Sequence, residues 1–189
     1  PPPRYAGKDI LMTLINKLTV AIAMITSLLT LSVYAQSPIP ELNHFATRGI
    51  SFDYPTGYSV ADESTAEAQR FVLTRKGSSV QLTIFVMRRL THPDELPAAL
   101  DNFKESIIEK VGTTLGLANS GERTASETQL GSRQAEGVRL RSARRTGEVI
   151  WLEWNGRVVA LSFVRSDADE AVESRLWETV RSSLNIEKR

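Results

Sequence analysis

The sequence has no cysteine among its 189 residues. That absence excludes disulfides, thiolate metal sites, a cysteine nucleophile and a lipid-modified N-terminal cysteine. Histidine is nearly missing too: with only His44 and His92, a zinc site would have to gather carboxylates from distant segments. Charge of one sign is also lacking, since 23 Lys and Arg face 22 Asp and Glu. Removing residues 1–35, for reasons given below, takes Arg4, Lys8, Lys17 and Asp9 and leaves 20 basic against 21 acidic residues. A chain so near neutrality offers no global case for nucleic-acid binding. No Gly-x-Ser-x-Gly elbow, Ser-x-x-Lys, Walker loop or His-Glu-x-x-His occurs. The sequence therefore leads us to expect no catalytic, cofactor-binding or metal-ligating residues.

What is present begins with an address. From Met12 the chain reads MTLINKLTVAIAMITSLLTLSVYAQS: Lys17 supplies positive charge, Leu18 to Val33 is apolar, and Val33 and Ala35 are the small residues that signal peptidase needs. We expect a signal peptide over 12–35, cleaved after Ala35, and a periplasmic or extracellular protein with no membrane span after cleavage. A retained anchor would need about 20 apolar residues, more than this run supplies. Residues 1–11, which begin without Met, are expected to be an upstream extension. Residues 36–47, QSPIPELNHFAT, have two prolines and no periodicity and are expected to form an extended lead-in.

A domain follows over 48–187, and 41% hydrophobic with 24% charged residues suits a globular fold. Ile50, Phe52 and Tyr54 alternate with Ser51 and Asp53, which is the period of a strand that Pro55 ends. AQRFVLTRK and SSVQLTIFVMRR, joined by a glycine turn, predict a hairpin whose second strand is apolar on both faces and so interior. Leu96, Leu100, Phe103, Ile107 and Val111 mark a helix with Asp94 as N-cap and Gly112 as its end; 113–122 reads as loop. A meander then turns at 130–132 and at Asn155-Gly156. Ser166 and Asp169 open a last helix with Val172, Leu176, Val180 and Leu184 on one face. The expected class is α+β, an antiparallel sheet flanked by helices in the order β-β-β-α-β-β-β-β-α.

The feature that most suggests a partner is VRLRSARRTG, residues 138–147. A three-residue loop with Gly147 in its left-handed position would put Arg144 opposite Glu148, Arg141 opposite Trp151 and Arg139 opposite Glu153. Val138, Leu140, Leu152 and Trp154 would then share the other face. On this register the arginines, except Arg145, form an internal ladder of charge pairs and one cation-π contact, Arg141 on Trp151; the competing reading is a partner-binding stripe of Arg141, Arg144 and Arg145. Trp151, Trp154 and Trp177 are expected in the core, since a pocket also needs converging polar groups. DADE at 167–170 lacks the turn glycine of a calcium loop and reads as an acidic helix start.

The segments ISFDYPTGY, LGSRQAEGVRLR and VVALSFVRS with LWETVRSSLNI, in this order, resemble the PsbP-like family. That family includes an extrinsic photosystem subunit, a Ran-binding import factor and bacterial envelope proteins of the DcrB kind. The resemblance spans residues 48–187 and implies an α/β/α sandwich and a role as adaptor or extrinsic subunit. No residue matches a metal or chloride-retention motif of the photosystem protein. The expectation is a non-enzymatic exported domain without cofactor, binding an unknown protein or a membrane-associated assembly and no nucleic acid. The alternative is a small-molecule or lipid carrier with a pocket between sheet and helix.

Overall fold

The computed structural model describes residues 41–90, 92–117 and 122–188. The expected extension, the signal peptide, the lead-in up to Pro40 and residues 118–121 of the expected loop lie outside the described residues. Ten strands and two α-helices occur among those described: β1 (Leu42–Thr47), β2 (Ile50–Pro55), β3 (Ser59–Asp62), β4 (Ala68–Thr74), β5 (Gln81–Met87), α1 (Leu96–Thr114), β6 (Glu122–Leu130), β7 (Arg133–Arg141), β8 (Arg145–Trp154), β9 (Arg157–Ser166), α2 (Glu170–Ser183) and β10 (Asn185–Ile186).

Seven strands form one antiparallel sheet in the order β3-β4-β5-β9-β8-β7-β6. Hairpins give most of this order, and the exception is the pairing of β5 with β9, Gln81 opposite Val164 through Val86 opposite Val159. That contact closes the sheet across α1 and the whole meander, and it makes β5 central, as its two apolar faces require. One face of the sheet carries α1, where Ile107, Ile108, Val111 and Leu115 pack on Leu140, Val149, Trp151 and Ala160. The other face carries α2 and a small sheet of order β1-β2-β10, which enclose Phe52, Leu73, Leu82, Ile84, Leu161, Leu176 and Val180. The class is α+β with helices on both faces, as the alternation and stripes imply.

Four local expectations are corrected. Within the expected lead-in, residues 42–47 form a paired strand, opposite Ile50–Pro55 across the Arg48-Gly49 turn, where both residues have positive φ. Phe45 stacks on Phe52 with ring centroids 4.9 Å apart. Only this aromatic and a Gly-containing turn signalled the strand, because an edge strand half buried on one face carries little apolar pattern.

Helix α1 has Glu95 as its N-cap residue, without a side-chain cap bond, after a 3-10 turn over Pro93–Glu95. It runs past Gly112 to Thr114 and ends at Gly116, φ 72°, where Gly116 N–H bonds Thr113 O and Leu117 N–H bonds Gly112 O. This is the double closure of a Schellman end. Ser166 ends β9 rather than boxing α2, and its Oγ accepts from the Ala168 N–H at 3.3 Å.

The fourth correction is the β7–β8 register. The loop is Ser142–Arg144, closed by Ser142 N–H donating to Arg145 O at 2.9 Å, and Arg139 stands opposite Glu148, not Glu153. Arg141 stands opposite Thr146, not Trp151. The physical reason is Gly147. It is no turn residue: it lies under α1, where a Cβ would come within 2.6 Å of Val111 Cγ1 and 2.9 Å of Leu115 Cδ1. Because the slip is an odd number of residues, it exchanges faces. Leu140 joins Val149 and Trp151 under α1, while Leu152 and Trp154 turn toward α2.

Candidate functional site

The pairing of strands decides which charges meet. Arg139 is paired within the domain, since its Nε and Nη2 donate to Glu148 Oε1 at 2.8 and 2.6 Å. Arg145, the one expected to lack an internal partner, donates from Nη1 to Thr114 O at 3.1 Å. A guanidinium there answers the unsatisfied carbonyls and negative end of α1, so Arg145 is a structural cap. Arg141 ends β7 and Arg144 lies in the loop; both are exposed, and among the described residues neither side chain has an ion-pair partner.

The same end of the sheet receives the β4–β5 turn, because Gln81 opens β5 opposite Val164 near the end of β9, and Arg145 pairs with Ser166. Arg75 and Lys76 on that turn are also exposed, and Lys110 lies on the last turns of α1. Glu109, Glu122 and Asp167 are the acids nearby in the topology, and Asp167 Oδ1 accepts from Thr146 Oγ1 at 3.3 Å. The loop itself is tied down: Arg144 O accepts from Asp167 N–H at 3.1 Å. A basic rim thus forms from three separate segments, the end of β7 with its loop, the β4–β5 turn and α1. Arg75, Lys76 and Lys110 carried no local signal for it, because only the β5–β9 and β8–β9 pairings bring those segments together.

The tryptophans are core, as read. Trp151, Trp154 and Trp177 are all buried, and Trp177 stacks on Phe163 at 5.2 Å. Arg133 lies over Trp154, 5.3 Å from the ring centroid; the cation expected on Trp151 is absent because the register differs. Trp177 nevertheless edges a cavity of about 230 Å³ between α2 and the sheet, whose polar wall includes Arg139, Arg165, Arg181 and Glu148. Arg181 Nη1 donates there to Thr128 Oγ1 at 2.6 Å and to Gln129 O at 2.9 Å, and Nη2 contacts Glu178. Arg165 Nη1 donates to Ser174 Oγ at 3.0 Å. Sequence reasoning missed this convergence because its members come from β6 to β9 and α2.

His44 is exposed on β1 and bonded to Asp53 at 2.6 Å. His92 is exposed ahead of α1, and no three carboxylates or imidazoles are grouped for a metal among the described residues. Residues 167–169 form a 3-10 turn leading into α2. Among the described residues no helix is long and apolar enough to cross a membrane.

No protein-family model and no curated protein matches the sequence. The solution structure of cyanobacterial PsbP (CyanoP) from Synechocystis sp. PCC 6803 superposes with a TM-score of 0.53 at 12% identity, covering 81% of this chain and 96% of that one. The fold is PsbP-like. The crystal structure of LpqN, involved in cell envelope biogenesis of Mycobacterium tuberculosis, gives a TM-score of 0.41 at 12% identity over 81% of this chain and 94% of its own. Within the PsbP-like fold the segments that carried the resemblance have packing roles. Phe52 and Tyr58 flank the Pro55-Gly57 turn and are both buried. Gly131 has φ 58° and lets Leu184 O approach to where a Cβ would lie 2.6 Å away, so the turn before β7 sits against the end of α2. A PsbP-like fold at this identity carries no activity by itself.

Proposed function

We propose that this chain is an exported, non-enzymatic PsbP-like domain that docks an acidic surface of a protein assembly in the cell envelope through the basic rim at one end of its sheet. The observation that carries this reading is the pair Arg141 and Arg144: two exposed guanidiniums without ion pairs among the described residues, at the end of β7 and on the loop after it, whose backbone is held to Arg145 and Asp167. Arg75 and Lys76 add charge of the same sign. Free guanidiniums on an anchored loop suit fork recognition of carboxylates with little ordering cost. Export rests on Lys17, the apolar run Leu18–Val33 and the small residues Val33 and Ala35.

The test is the double variant Arg141→Glu with Arg144→Glu, which leaves the Arg145 cap in place. Partner recovered by crosslinking in intact envelopes should fall about tenfold or more, and recovery by the unaltered protein should weaken with salt. Thermal unfolding should not change. Equal recovery with both proteins would refute docking through the rim.

A second reading has one specific observation behind it, the cavity beside Trp177 with its arginines and Glu148. Its polar wall and small volume suit a small polar solute and not an acyl chain. Native mass spectrometry of the protein taken from its own compartment would reveal such a solute as a discrete added mass; a clean apo mass removes this reading.

A further inference from the structure

Strand β6 is one edge of the seven-stranded sheet, opposite β3. It pairs with β7 in unbroken register from Glu122 opposite Arg141 to Leu130 opposite Arg133, and no strand lies on its outer side among the described residues. Edges of this length are ordinarily blunted by charged side chains, lysine above all, by proline or by a bulge. The segment ERTASETQL has no proline, no lysine and no bulge, and its charges, Glu122, Arg123 and Glu127, guard it against neutral or acidic strands more than against a basic one. Arg181 occupies one carbonyl near its end, that of Gln129, so the open stretch runs from Glu122 to about Thr128.

Beside this edge, on the α1 face, lies an open groove of about 690 Å³ between α1 and strands β6 to β8. Its apolar floor includes Ala125, Val138 and Trp151. Its charge is mainly negative: Glu105, Glu127 and Glu136 stand against Lys104 and Arg123, and an adjoining groove of about 390 Å³ adds Glu153. Lys104 is itself engaged, hydrogen-bonded to Asp101 at 2.6 Å. That bond raises the Lys104 pKa, and the negative field of Glu105 and Glu136 raises it further. Glu127 and Glu136 are direct cross-strand neighbours, and among the described residues neither has an ion-pair partner. Like charges directly opposite on adjacent strands destabilise a sheet.

We propose that the outer edge of β6 and this groove form a strand-addition site for an extended basic segment of a partner protein, whose Lys or Arg side chains come to lie against Glu127 and Glu136. The edge supplies unpaired backbone donors and acceptors, and the two-residue period of a strand presents every second side chain to the groove. The carboxylate pair selects the cations, whose alkyl stems lie over Ala125 and Val138, while the residues between them turn to the opposite face of the sheet. A second copy pairing antiparallel about Ala125 would set Arg123 opposite Glu127 but leave both Glu136 carboxylates unmatched, so a basic segment answers the groove more fully. The site differs in place and sign from the basic rim, so it stands or falls separately.

The probe is a peptide as long as β6 that alternates Lys and Val, titrated into the full domain at physiological ionic strength and followed by backbone amide resonances and hydrogen exchange. Alternate amides between 122 and 128 should be protected. Glu127→Gln with Glu136→Gln should weaken binding by about tenfold, a difference of about 1.4 kcal/mol, while leaving the unbound protein as stable or more so. The same peptide with Pro for Val keeps the charge but cannot add a strand, and it should not protect β6. Equal affinity for the double variant, equal protection by the proline peptide, protection elsewhere, or no binding would overturn the proposal. Dimerisation through β6 in sedimentation experiments would assign the edge to a second copy and overturn it equally.

Discussion

Arg139 illustrates how a single residue changes meaning with register. Its forked guanidinium meets one oxygen of Glu148, whose side chain is only 16% exposed, whereas that of Arg139 is 57% exposed. Solvent screening on the arginine side limits the pair to about 1 kcal/mol or less. A double-mutant cycle on Arg139 and Glu148 should read a coupling of that order in denaturant unfolding, and the cycle on Arg139 and Glu153 should read none. The reverse result would restore the register with Gly147 in the turn. Both possibilities were compatible with the local string of residues, since each places an arginine opposite an acid. Arg145 shows the same dependence: its partner is a backbone carbonyl of α1, 31 residues away in sequence, and no side-chain pattern announces it.

At the scale of elements, the contact that sets β8 against α1 is the absence of a side chain at Gly147. Val111 and Leu115 occupy the space that a Cβ would need. Gly147→Ala should therefore destabilise the domain by roughly 1–3 kcal/mol, the range for overpacking a filled core. Chemical denaturation with unchanged m-value would measure it, and a neutral substitution would show that α1 yields at its C-terminal end. The turn at Asn155 and Gly156 was legible because both residues adopt positive φ, 55° and 74°, and few residue pairs tolerate that. The two-residue turn sets Trp154 opposite Arg157 and Leu152 opposite Val159. The strand β1 was not legible, because its neighbours Pro38 and Pro40 dominate the local pattern and its own apolar residues, Leu42, Phe45 and Ala46, do not alternate.

For the whole molecule, the proposal of export has a direct mass test. Expressed with its own leader, the chain should be recovered outside the cytoplasm with a mass beginning at Gln36. A full-length product retained in the cytoplasm would end that reading and remove the envelope from the proposed function. The sequence by itself determined the kind of fold: alternation, stripes at helical spacing and glycine turns act over short range, so the long elements are written within their own residues, whereas β1 and the short β3 and β10, absent from the expected order, are defined by their partners. It also indicated the hairpins, whose partners are neighbours in the chain. Only the tertiary structure decided the pairing of β5 with β9, the face that each side of β7 and β8 presents, and which charges end together. Those outcomes depend on contacts between distant segments, where packing against α1 overrides the local preference for glycine in a turn. The basic rim and the acidic groove beside β6 are both of this second kind.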